Sequence, residues 1–455
     1  MNESEKTLLG GIVGRLASTE IQGVSIDSRN IRKGELFVAL KGDRFDGHDY
    51  VPEAIKKGAW GALVERSTLE TKYASLAGLQ NILPVEDTLY ALQEMAHMHR
   101  KKFPIPLAGI TGSNGKTTTK EMLAGILKQT GPVLKNEGNL NNHIGVPLTL
   151  LKLEPRHRFA VVEMGMSAPG EIETLARLAV PDIGVITNIG PAHLEFLGSM
   201  DAVAEAKGEL LDNLRPGGTA VLNADDRYCE TLRRKFSGRI ITFGIERAAD
   251  VRAADIQQGN DCADFRLLAD GLTANVRLRT VGKHNVYNAL AAAAAAIAAG
   301  MSVDAVKYGL DAFSPVAMRG EIRQMQGRIV LADYYNANPA SMEAALATLM
   351  SLTVGGQAVA VLGDMLELGA SSSEAHREIG RAVARLGVDL LITTGAQAKE
   401  TARGAVEAGM PSERVLEIGT HAEIARMLQT RTRPGDAVLI KGSRGMKMEK
   451  ILEEF

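Results

Sequence analysis

The chain has 455 residues, of which 45% are hydrophobic and 23% charged, with 52 Lys and Arg against 54 Asp and Glu. At about 150 residues per domain this length predicts three domains, and the ordinary composition excludes a disordered or fibrous chain. A net charge of -2 creates no overall field that attracts nucleic acid or an anionic membrane, so neither is an expected partner.

The cysteines and the apolar runs indicate the cellular compartment of the protein. Cys229 and Cys262 lack metal-ligand spacing, and the acidic N-terminal sequence does not resemble a secretory signal. The longest apolar run, residues 289–299, is too short to cross a membrane, and its alanines favour a packed helix. We therefore expect a cytoplasmic protein without a membrane span.

The predicted elements fall into three groups along the chain. Residues 1–85 contain short apolar segments separated by Gly and Asp, which predicts a small mixed α/β N-terminal domain. Residues 87–102 show helical spacing behind Asp87, a predicted N-cap, and this helix is interpreted as the bridge into the second domain.

Two series of strands and helices follow the bridge. Residues 86–315 alternate apolar strands with glycine loops and helices, which predicts a central parallel-sheet P-loop ATPase domain. Within it, residues 263–281 alternate apolar and polar side chains about a glycine, the pattern of a β-hairpin. Residues 316–455 repeat the strand and helix pattern and predict a C-terminal Rossmann-like, doubly wound domain.

A glycine loop follows the first strand of the central domain, in the sequence Gly109-Ile-Thr-Gly112-Ser-Asn-Gly115-Lys116-Thr117. Between a strand and a helix, backbone N–H groups and the helix N-terminus can hold phosphates. In this interpretation Lys116 neutralises the β- and γ-phosphates and the Thr117 hydroxyl coordinates Mg²⁺. The spacing departs from the plain Walker A form, because Ile110 stands five positions before Gly115. The loop predicts ATP and Mg²⁺ as cofactors, with contacts from Thr111, Gly112, Ser113, Asn114, Gly115, Lys116, Thr117 and Thr118.

Candidate metal ligands stand at the ends of the next strands. Glu163 ends an apolar strand and His193 follows another, so both are expected at the carboxyl edge of the sheet, beside the phosphate loop. A carboxylate and an imidazole can each ligate a divalent ion there. Lys207 lies between Glu205 and Glu209, where its default interpretation is a surface salt-bridge partner.

Five segments, TGSNGKTTTKEM, NEGNLNNHIGVPLTLL, VVEMGMSAPGEI, TNIGPAHLEFLGS and GKHNVYNALAAAAA, together resemble the Mur ligases of peptidoglycan synthesis. Residues 26–65 resemble the UDP-sugar-binding domain of that family, so the resemblance runs along the whole chain. YNANPASM and LGDMLELG resemble the members that add the final dipeptide, and the DNPR motif of the members that add the third residue is absent.

The resemblance implies a reaction. ATP phosphorylates the terminal carboxylate of UDP-MurNAc-tripeptide, and the amine of D-Ala-D-Ala attacks the acyl phosphate. Because phosphoryl transfer needs charge neutralisation more than covalent chemistry, Lys116 and Mg²⁺ on Thr117, Glu163 and His193 are the expected contributors. The sequence does not reveal whether the tripeptide ends in diaminopimelate or lysine.

The resemblance also implies roles for individual residues. Lys207 matches a lysine that is carbamylated and then bridges metals, and Arg319 matches an arginine between domains that faces the phosphates. With Lys116 and His193 these form the catalytic set. Matched binding residues are His284, Asn285 and Asn288 for the nucleotide base; Asn139, Asn141 and Asn142 beside the tripeptide; and Ser28, Arg29, Lys41, Asp46, Gly47 and His48 for uridine diphosphate.

Several of these residues also have a purely structural interpretation. Asn288 is able to bond within its helix, Arg319 to pair with Glu321, and the Asp46 segment to form an ordinary turn. In the third domain the choice is between helix capping and dipeptide binding, and binding is favoured for Asp333, Asn336, Asn338 and Ser341. His376 and residues 441–444 are weaker candidates for the same cleft.

Two other functions remain open at this point. One is a related Mur or folylpolyglutamate-type ligase that uses a different amino acid acceptor. The other is a nucleotide-binding switch, which leaves the first and third domains without an evident purpose. We expect a monomer.

Overall fold

The structure is a computed structural model that describes residues 3–18, 20–79, 81–191 and 194–455. In these residues the chain builds three β-sheets in succession, each packed with helices. None of the helices in the described ranges is long and apolar enough to cross a membrane.

The first sheet is parallel, in the order β1-β2-β3-β4. Alternate residues face opposite sides, as the period of a strand requires. Phe37 packs with Val51 on one face, while Leu36 and Val38 enter a core with Leu9 on the other. The bounds are β1 Gly23–Ser25, β2 Glu35–Val38, β3 Gly61–Glu65 and β4 Ile82–Val85, with α1 Glu3–Ala17, α2 Val51–Lys56 and α3 Arg66–Leu69.

The bridging helix is α4, Thr88–Lys101. Asp87 caps it, because its Oδ1 accepts a hydrogen bond of 2.9 Å from the Tyr90 N–H, as the sequence predicts. The apolar face of α4, with Leu92 and Met95, lies in one hydrophobic core with the first sheet and with helices of the central domain. The bridge therefore joins the two domains through a shared core.

The central sheet has the order β13-β12-β11-β10-β9-β8-β5-β7-β6 and is parallel from β6 to β11. The hairpin predicted near residue 270 is confirmed as the antiparallel pair β12 and β13. The strands of the central sheet are β5 Leu107–Thr111, β6 Val133–Lys135, β7 Phe159–Glu163, β8 Ile183–Ile186, β9 Thr219–Asn223, β10 Arg239–Gly244, β11 Val251–Gln258, β12 Ala263–Ala269 and β13 Leu272–Leu278.

Helices cover both faces of the central sheet. The predicted alanine helix is confirmed as α11, whose alanines at 289 and 291–296 are completely buried against the core that contains α5. Small side chains let the two helices approach closely, which brings the start of α11 beside the phosphate loop. The helices are α5 Lys116–Leu127, α6 Gly145–Leu150, α7 Glu171–Ala179, α8 Leu194–Leu197, α9 Met200–Asp212, α10 Cys229–Lys235, α11 Lys283–Ala298 and α12 Val303–Asp311.

The third sheet has the order β14-β15-β19-β16-β17-β18, and only its edge strand β14 is antiparallel among the described strands. Separate hydrophobic clusters lie on its two faces, which confirms the doubly wound prediction. The elements are β14 Glu321–Met325, β15 Arg328–Asp333, β16 Ala358–Leu362, β17 Leu390–Thr393, β18 Val415–Glu417 and β19 Ala437–Lys441, with α13 Pro339–Leu352, α14 Ser372–Leu386, α15 Ala398–Glu407, α16 His421–Arg431 and α17 Glu449–Glu454.

The order of the central strands sets the place of the site. Strand β5 lies between β7 and β8, and the chain first adds strands on one side of β5 and then on the other. Ligands of open parallel sheets bind at such a switch point, beyond the carboxyl ends of the strands. The predicted α/β fold class is confirmed, and the boundaries after residues 85 and 315 stay a prediction.

Candidate active site

The phosphate loop connects β5 to α5 at this switch point. Gly112 and Gly115 have φ angles of 144° and 79°, in the left-handed region that favours glycine. A Cβ on Gly115 would overlap the Asn288 side chain, and one on Gly112 would overlap the Thr187 side chain. The glycines therefore allow both the turn and the close approach of the loop to its neighbours.

Lys116 folds back over this loop. Its Nζ donates hydrogen bonds of 2.7 Å to the carbonyl of Gly112 and 3.3 Å to that of Ser113. Burial lowers the pKa of Lys116, the charge of Glu163 acts in the opposite direction, and that of Arg319 lowers it further. The ammonium group lies where it can exchange these carbonyl partners for the phosphates of a bound nucleotide.

The loop after β8 is hydrogen-bonded to the phosphate loop. Thr187 Oγ1 donates to the Asn114 carbonyl at 2.6 Å, and the Asn114 N–H donates to Asn188 Oδ1 at 3.0 Å. Ser113 Oγ donates to the Gly190 carbonyl at 2.8 Å. Sequence reasoning missed Thr187 and Asn188, although two polar residues directly after an apolar strand were a usable signal.

Thr117 and Glu163 form the expected metal-binding pair. Thr117 Oγ1 donates to Glu163 Oε2 at 2.7 Å, and Asn141 Nδ2 donates to Oε1 at 2.9 Å. A buried hydroxyl and carboxylate beside a phosphate loop are the oxygen donors that Mg²⁺ prefers, so the residues present fit this ion.

His193, the other predicted metal ligand, lies outside the described residues. Among those described, no group of three or more His, Cys, Asp or Glu side chains is placed to hold a metal by itself.

Lys120 and Asn136 surround Glu163 and were missed at the sequence level. Lys120 Nζ donates to the Asn136 carbonyl at 2.8 Å and lies 3.8 Å from Glu163 Oε2. The Asn136 side chain accepts from the Glu163 N–H and donates to the Glu163 carbonyl, both at 2.9 Å. The signal for Lys120 was its spacing, since it lies one helical turn after Lys116 on the same face.

The default interpretation of Lys207 as a surface salt-bridge partner is wrong. Lys207 is 2% exposed, because α9 turns this face toward the sheet. In the described part of the chain it forms no ion pair with a carboxylate, and burial followed by the charge of Lys116 lowers its pKa well below the ordinary value. The lowered pKa favours the neutral amine, which is the form that can react with carbon dioxide, and the carbamate itself stays a prediction from the family resemblance.

The start of α11 contacts the phosphate loop from the side. Asn288 Nδ2 donates to Asn285 Oδ1 at 3.1 Å, and Asn285 Nδ2 donates to the Val281 carbonyl at 2.8 Å. Asn288 therefore both bonds within its helix and packs against Gly115. His284 is half-buried, and burial lowers its pKa.

Arg319 does not pair with Glu321. Its guanidinium lies 3.7 Å from the ring centroid of Tyr335, and Glu321 instead pairs with Arg323 at 2.9 Å. The charge of Arg319 lowers the pKa of Lys116. The arginine is thus free of a carboxylate partner within the described residues and available to an anion.

The third domain reaches the same loop through α13. Asn338 caps this helix, since its Oδ1 accepts from the Ser341 N–H at 2.9 Å and its own N–H donates to Ser341 Oγ at 3.0 Å. Asn338 Nδ2 also donates to Asn114 Oδ1 at 2.8 Å. Asn338 and Ser341 therefore cap the helix, although the sequence favoured dipeptide binding for them. Dipeptide contact by these two residues stays a prediction.

The other candidate residues of the third domain form hydrogen bonds within that domain. Lys441 is buried and its Nζ donates to Asp333 Oδ2 at 2.6 Å and to the Asn336 carbonyl at 3.0 Å. His376 Nε2 accepts from the Met365 N–H at 2.9 Å, and its Nδ1 bonds the Ser372 carbonyl at 2.7 Å. The His376 ring therefore serves the fold and offers no free nitrogen.

The first-domain candidates lie in two turns. Arg29 pairs with Asp27 at 2.9 Å, and the Arg29 hydrogen bond lowers the pKa of Asp27 to about 2. Ser28 is buried and donates to Glu53 at 3.2 Å. These contacts leave the Arg29 side chain exposed at the surface of its turn.

The second turn contains Lys41 and residues 46–48. His48 is fully buried, with Nδ1 2.6 Å from Asp46 Oδ1 and Nε2 accepting from the Glu65 N–H at 2.9 Å. A Cβ on Gly47 would lie 2.6 Å from the Leu40 carbonyl oxygen. His48 and Gly47 therefore hold the turn, and the exposed side chain of Lys41 remains the group available to a ligand.

The loop beside Glu163 holds the predicted tripeptide residues. Asn141 faces the Glu163 carboxylate, as described, and Asn142 Oδ1 accepts from the Gly145 N–H at 2.9 Å at the start of α6. Asn139 is exposed. Of the three, the structure brings Asn141 directly to the Thr117–Glu163 pair.

A phosphate loop with a hydroxyl and carboxylate pair, contacted by a third α/β domain, defines a nucleotide-dependent enzyme. Family models match in three places: Mur ligase family, catalytic domain, at residues 20–100; Mur ligase middle domain at residues 110–296; and Mur ligase, glutamate ligase domain, at residues 318–444. The chain belongs to the Mur ligase family of ATP-dependent ligases, which confirms the resemblance.

Individual members of the family and their solved structures are also similar to this chain. UDP-N-acetylmuramoyl-tripeptide–D-alanyl-D-alanine ligase of Bacillus subtilis strain 168 is 37% identical over 438 residues, which cover 96% of this chain and 93% of the relative. The ligase of the same name from Escherichia coli K12 is 37% identical over 447 residues, 96% and 94% of the two chains. MurF from Acinetobacter baumannii superposes with a TM-score of 0.87 at 35% identity, covering 95% of this chain and 93% of that one. MurF from Thermotoga maritima in complex with ADP gives 0.84 at 30% identity, covering 95% and 96%.

Proposed function

We propose that this chain joins D-Ala-D-Ala to UDP-MurNAc-tripeptide at the expense of ATP, which completes the pentapeptide precursor of peptidoglycan. The observation that carries the proposal is the Thr117–Glu163 pair on a phosphate loop, in a chain whose full-length relatives bear the name of this ligase. The hydrogen bond from Asn338 to Asn114 supports it, because it brings a third domain to the place where the phosphates bind.

The first step is activation of the tripeptide carboxylate. The carboxylate oxygen attacks the γ-phosphorus of ATP, ADP leaves, and an acyl phosphate remains. Lys116 leaves the Gly112 carbonyl and neutralises phosphate charge, while the loop N–H groups at the start of α5 bind phosphate oxygens. Mg²⁺, held by Thr117 and Glu163, supplies further charge neutralisation when bound.

The second step forms the amide bond. The amine of D-Ala-D-Ala attacks the acyl carbon, inorganic phosphate leaves, and the amine loses its proton. Arg319 supplies a positive charge near the phosphates, and the third domain, in contact with the loop through Asn338, excludes water that would hydrolyse the acyl phosphate. We propose that the domain closes further when all substrates are bound.

Lys207 has a supporting role in this scheme. Its lowered pKa favours the neutral amine, the form that attacks carbon dioxide, and the carbamate would place a buried anion beside Lys116. An anion in this position would attract the Lys116 ammonium and would be able to ligate a metal ion.

Binding of the other substrates completes the proposal. Exposed Arg29 and Lys41 are the first-domain groups available to a uridine diphosphate. Asn288 lies beside the loop, and His284, Asn285 and Asn288 are proposed to contact the base. We place the reaction in the cytoplasm, where two free, buried cysteines are expected to stay reduced, and we propose a monomer.

The experiment is to incubate the protein with ATP, Mg²⁺ and UDP-MurNAc-tripeptide, offering D-Ala-D-Ala, single amino acids and glutamate as separate acceptors. Mass spectrometry of the products should find the pentapeptide with D-Ala-D-Ala alone. A product with another acceptor, and none with the dipeptide, identifies a ligase of different specificity within the family and overturns the proposal.

A further inference from the structure

Lys120 is a buried lysine that the proposed reaction does not use. It lies on α5 one turn after Lys116, and its side chain is 1% exposed. Its Nζ donates to the Asn136 carbonyl at 2.8 Å, beneath the loop rather than over it. A cation in that position is covered by protein, so it is not a further ligand for phosphate.

The charges around Lys120 show which group it serves. Two carboxylates are near, Glu121 at 3.3 Å and Glu163 at 3.8 Å. Glu121 also forms an ion pair with Lys135, whose side chain is partly exposed. Glu163, by contrast, has only Lys120 as an ion-pair partner in the described part of the chain, because Thr117 and Asn141 are neutral donors.

The contacts of Lys120 also fix the backbone of Glu163. The Asn136 carbonyl accepts from Lys120, while the Asn136 side chain bonds both the N–H and the carbonyl of Glu163. The Lys120 side chain thus restrains the Glu163 carboxylate by charge. Through Asn136 it also restrains the end of the strand that carries Glu163. Removing a cation from a buried carboxylate leaves that charge uncompensated, and the carboxylate then moves or recruits another partner.

We propose that Lys120 is a positioning residue, which holds the Glu163 carboxylate and the 136–142 segment in the arrangement that receives the divalent metal. The inference rests on the proposed function only in assigning the metal to Thr117 and Glu163. It goes beyond that function in naming a buried cation, without access to substrate, as a determinant of metal affinity. Its effect falls on binding of the metal and nucleotide, and not on phosphoryl transfer once both are bound.

The test measures binding directly, with Mn²⁺ as the probe. Free Mn²⁺ is followed by electron paramagnetic resonance while it is titrated into the full-length protein with ADP. Lys120→Met should raise the dissociation constant of Mn²⁺ at least tenfold. In phosphate-release assays its apparent KM for Mg²⁺ should rise in parallel, with kcat at saturating Mg²⁺ within threefold of wild type.

Lys135→Met is the matched control, since Lys135 contacts Glu121 but not Glu163, and it should bind Mn²⁺ as the wild type does. If Lys120→Met does not fold, Lys120→Gln is measured in its place, because glutamine retains a donor without the charge. Unchanged or tighter Mn²⁺ binding in the Lys120 variant overturns the proposal, as does a fall in kcat without a change in affinity.

A double-mutant comparison tests whether Lys120 acts through Glu163. Glu163→Gln alone should weaken Mn²⁺ binding, and Lys120→Met added to it should change the constant by less than twofold. A further tenfold loss in the double variant contradicts action through Glu163. Wild-type protein that binds Mn²⁺ and ADP but forms no pentapeptide would refute the ligase function and leave the role of Lys120 still measured by these titrations.

Discussion

Asn338 at the start of α13 donates a hydrogen bond of 2.8 Å to Asn114 on the phosphate loop, across 224 positions of sequence. The same Asn338 side chain caps its own helix through Oδ1. Asn114 is in turn bonded through its backbone to Thr187 and Asn188. Hydrogen bonds therefore link the phosphate loop directly to the first turn of a helix in the third domain.

Asn338→Asp separates these two functions. Aspartate keeps the oxygen that caps α13, but it cannot donate to Asn114 Oδ1. We expect thermal stability close to that of the wild type, since Asn and Asp are similar caps, and about a tenfold lower kcat/KM for D-Ala-D-Ala. Asn338→Ala, the comparison variant, should additionally lose about 1 kcal/mol of stability. Full activity in Asn338→Asp would show that the contact has no part in the reaction.

Small-angle scattering provides a second measurement on the same variant. Wild-type protein should become more compact with a non-hydrolysable ATP analogue, UDP-MurNAc-tripeptide and D-Ala-D-Ala, and Asn338→Asp should compact less. A wild-type radius of gyration that does not change with these ligands counts against domain closure.

Lys116→Ala should abolish turnover and leave the fold intact. Among the described residues the side chain bonds only loop carbonyls, so its removal opens no hole in a hydrophobic core, while phosphate charge loses its main protein cation. We expect phosphate release at least 10²-fold slower, about 3 kcal/mol, with an unchanged circular dichroism spectrum. Lys128→Ala, at an exposed lysine near the end of the same helix, is the control. A Lys116→Ala protein that fails to fold contradicts the role assigned here.

Lys207→Ala should be inactive and partly rescued by acetate or formate. A short carboxylate can occupy the space of a carbamate beside Lys116, whereas an arginine at this position restores only a cation. Activity of Lys207→Ala is therefore measured against carboxylate concentration, with Lys207→Arg as the variant expected not to respond. Wild-type rates in Lys207→Ala without added carboxylate would remove the carbamate from the mechanism.

The stability of the chain should fall with acid in part through His376. Burial lowers the pKa of His376 below its ordinary value of 6.5, and Nε2 must stay unprotonated to accept from Met365. The unfolded chain then binds a proton at higher pH than the folded chain, so this contribution is complete above about pH 6.5 and is lost as the pH falls further. Each such group changes the free energy of unfolding by up to about 1.4 kcal/mol per pH unit.

His376→Gln tests this directly by urea unfolding at pH 8 and pH 5. The variant should be less stable than the wild type at pH 8 and should lose less stability between the two values. A remaining pH dependence is expected, because burial also lowers the pKa of His99 and His157. An identical loss in both proteins contradicts the contribution of His376.

Local patterns predicted much of the fold and the core of the site. The glycine spacing before Lys116 located the loop, and Glu163 was located by its place at the end of an apolar strand. Both depend on neighbours close in sequence and on one general rule, that ligands bind beyond the carboxyl ends of parallel strands.

Contacts between distant segments were beyond the same reasoning. Lys207 has acidic neighbours on its helix and therefore looks exposed, yet the packing of α9 buries it. The bond from Asn338 to Asn114 depends on how two domains meet, and a capping pattern contains no information on that. The Lys120 contact with the 136–142 segment likewise depends on tertiary packing, although its helical spacing from Lys116 was visible.

The central claim, that ATP is spent on joining two specific substrates, is tested most directly by the release of inorganic phosphate from ATP. The assay is run with UDP-MurNAc-tripeptide alone, D-Ala-D-Ala alone, both together and neither. Sustained release should require both substrates, because the acyl phosphate is held away from water until the amine arrives. Release with ATP alone, unaffected by either substrate, would contradict the ligase function and leave a simple nucleotide hydrolase or switch.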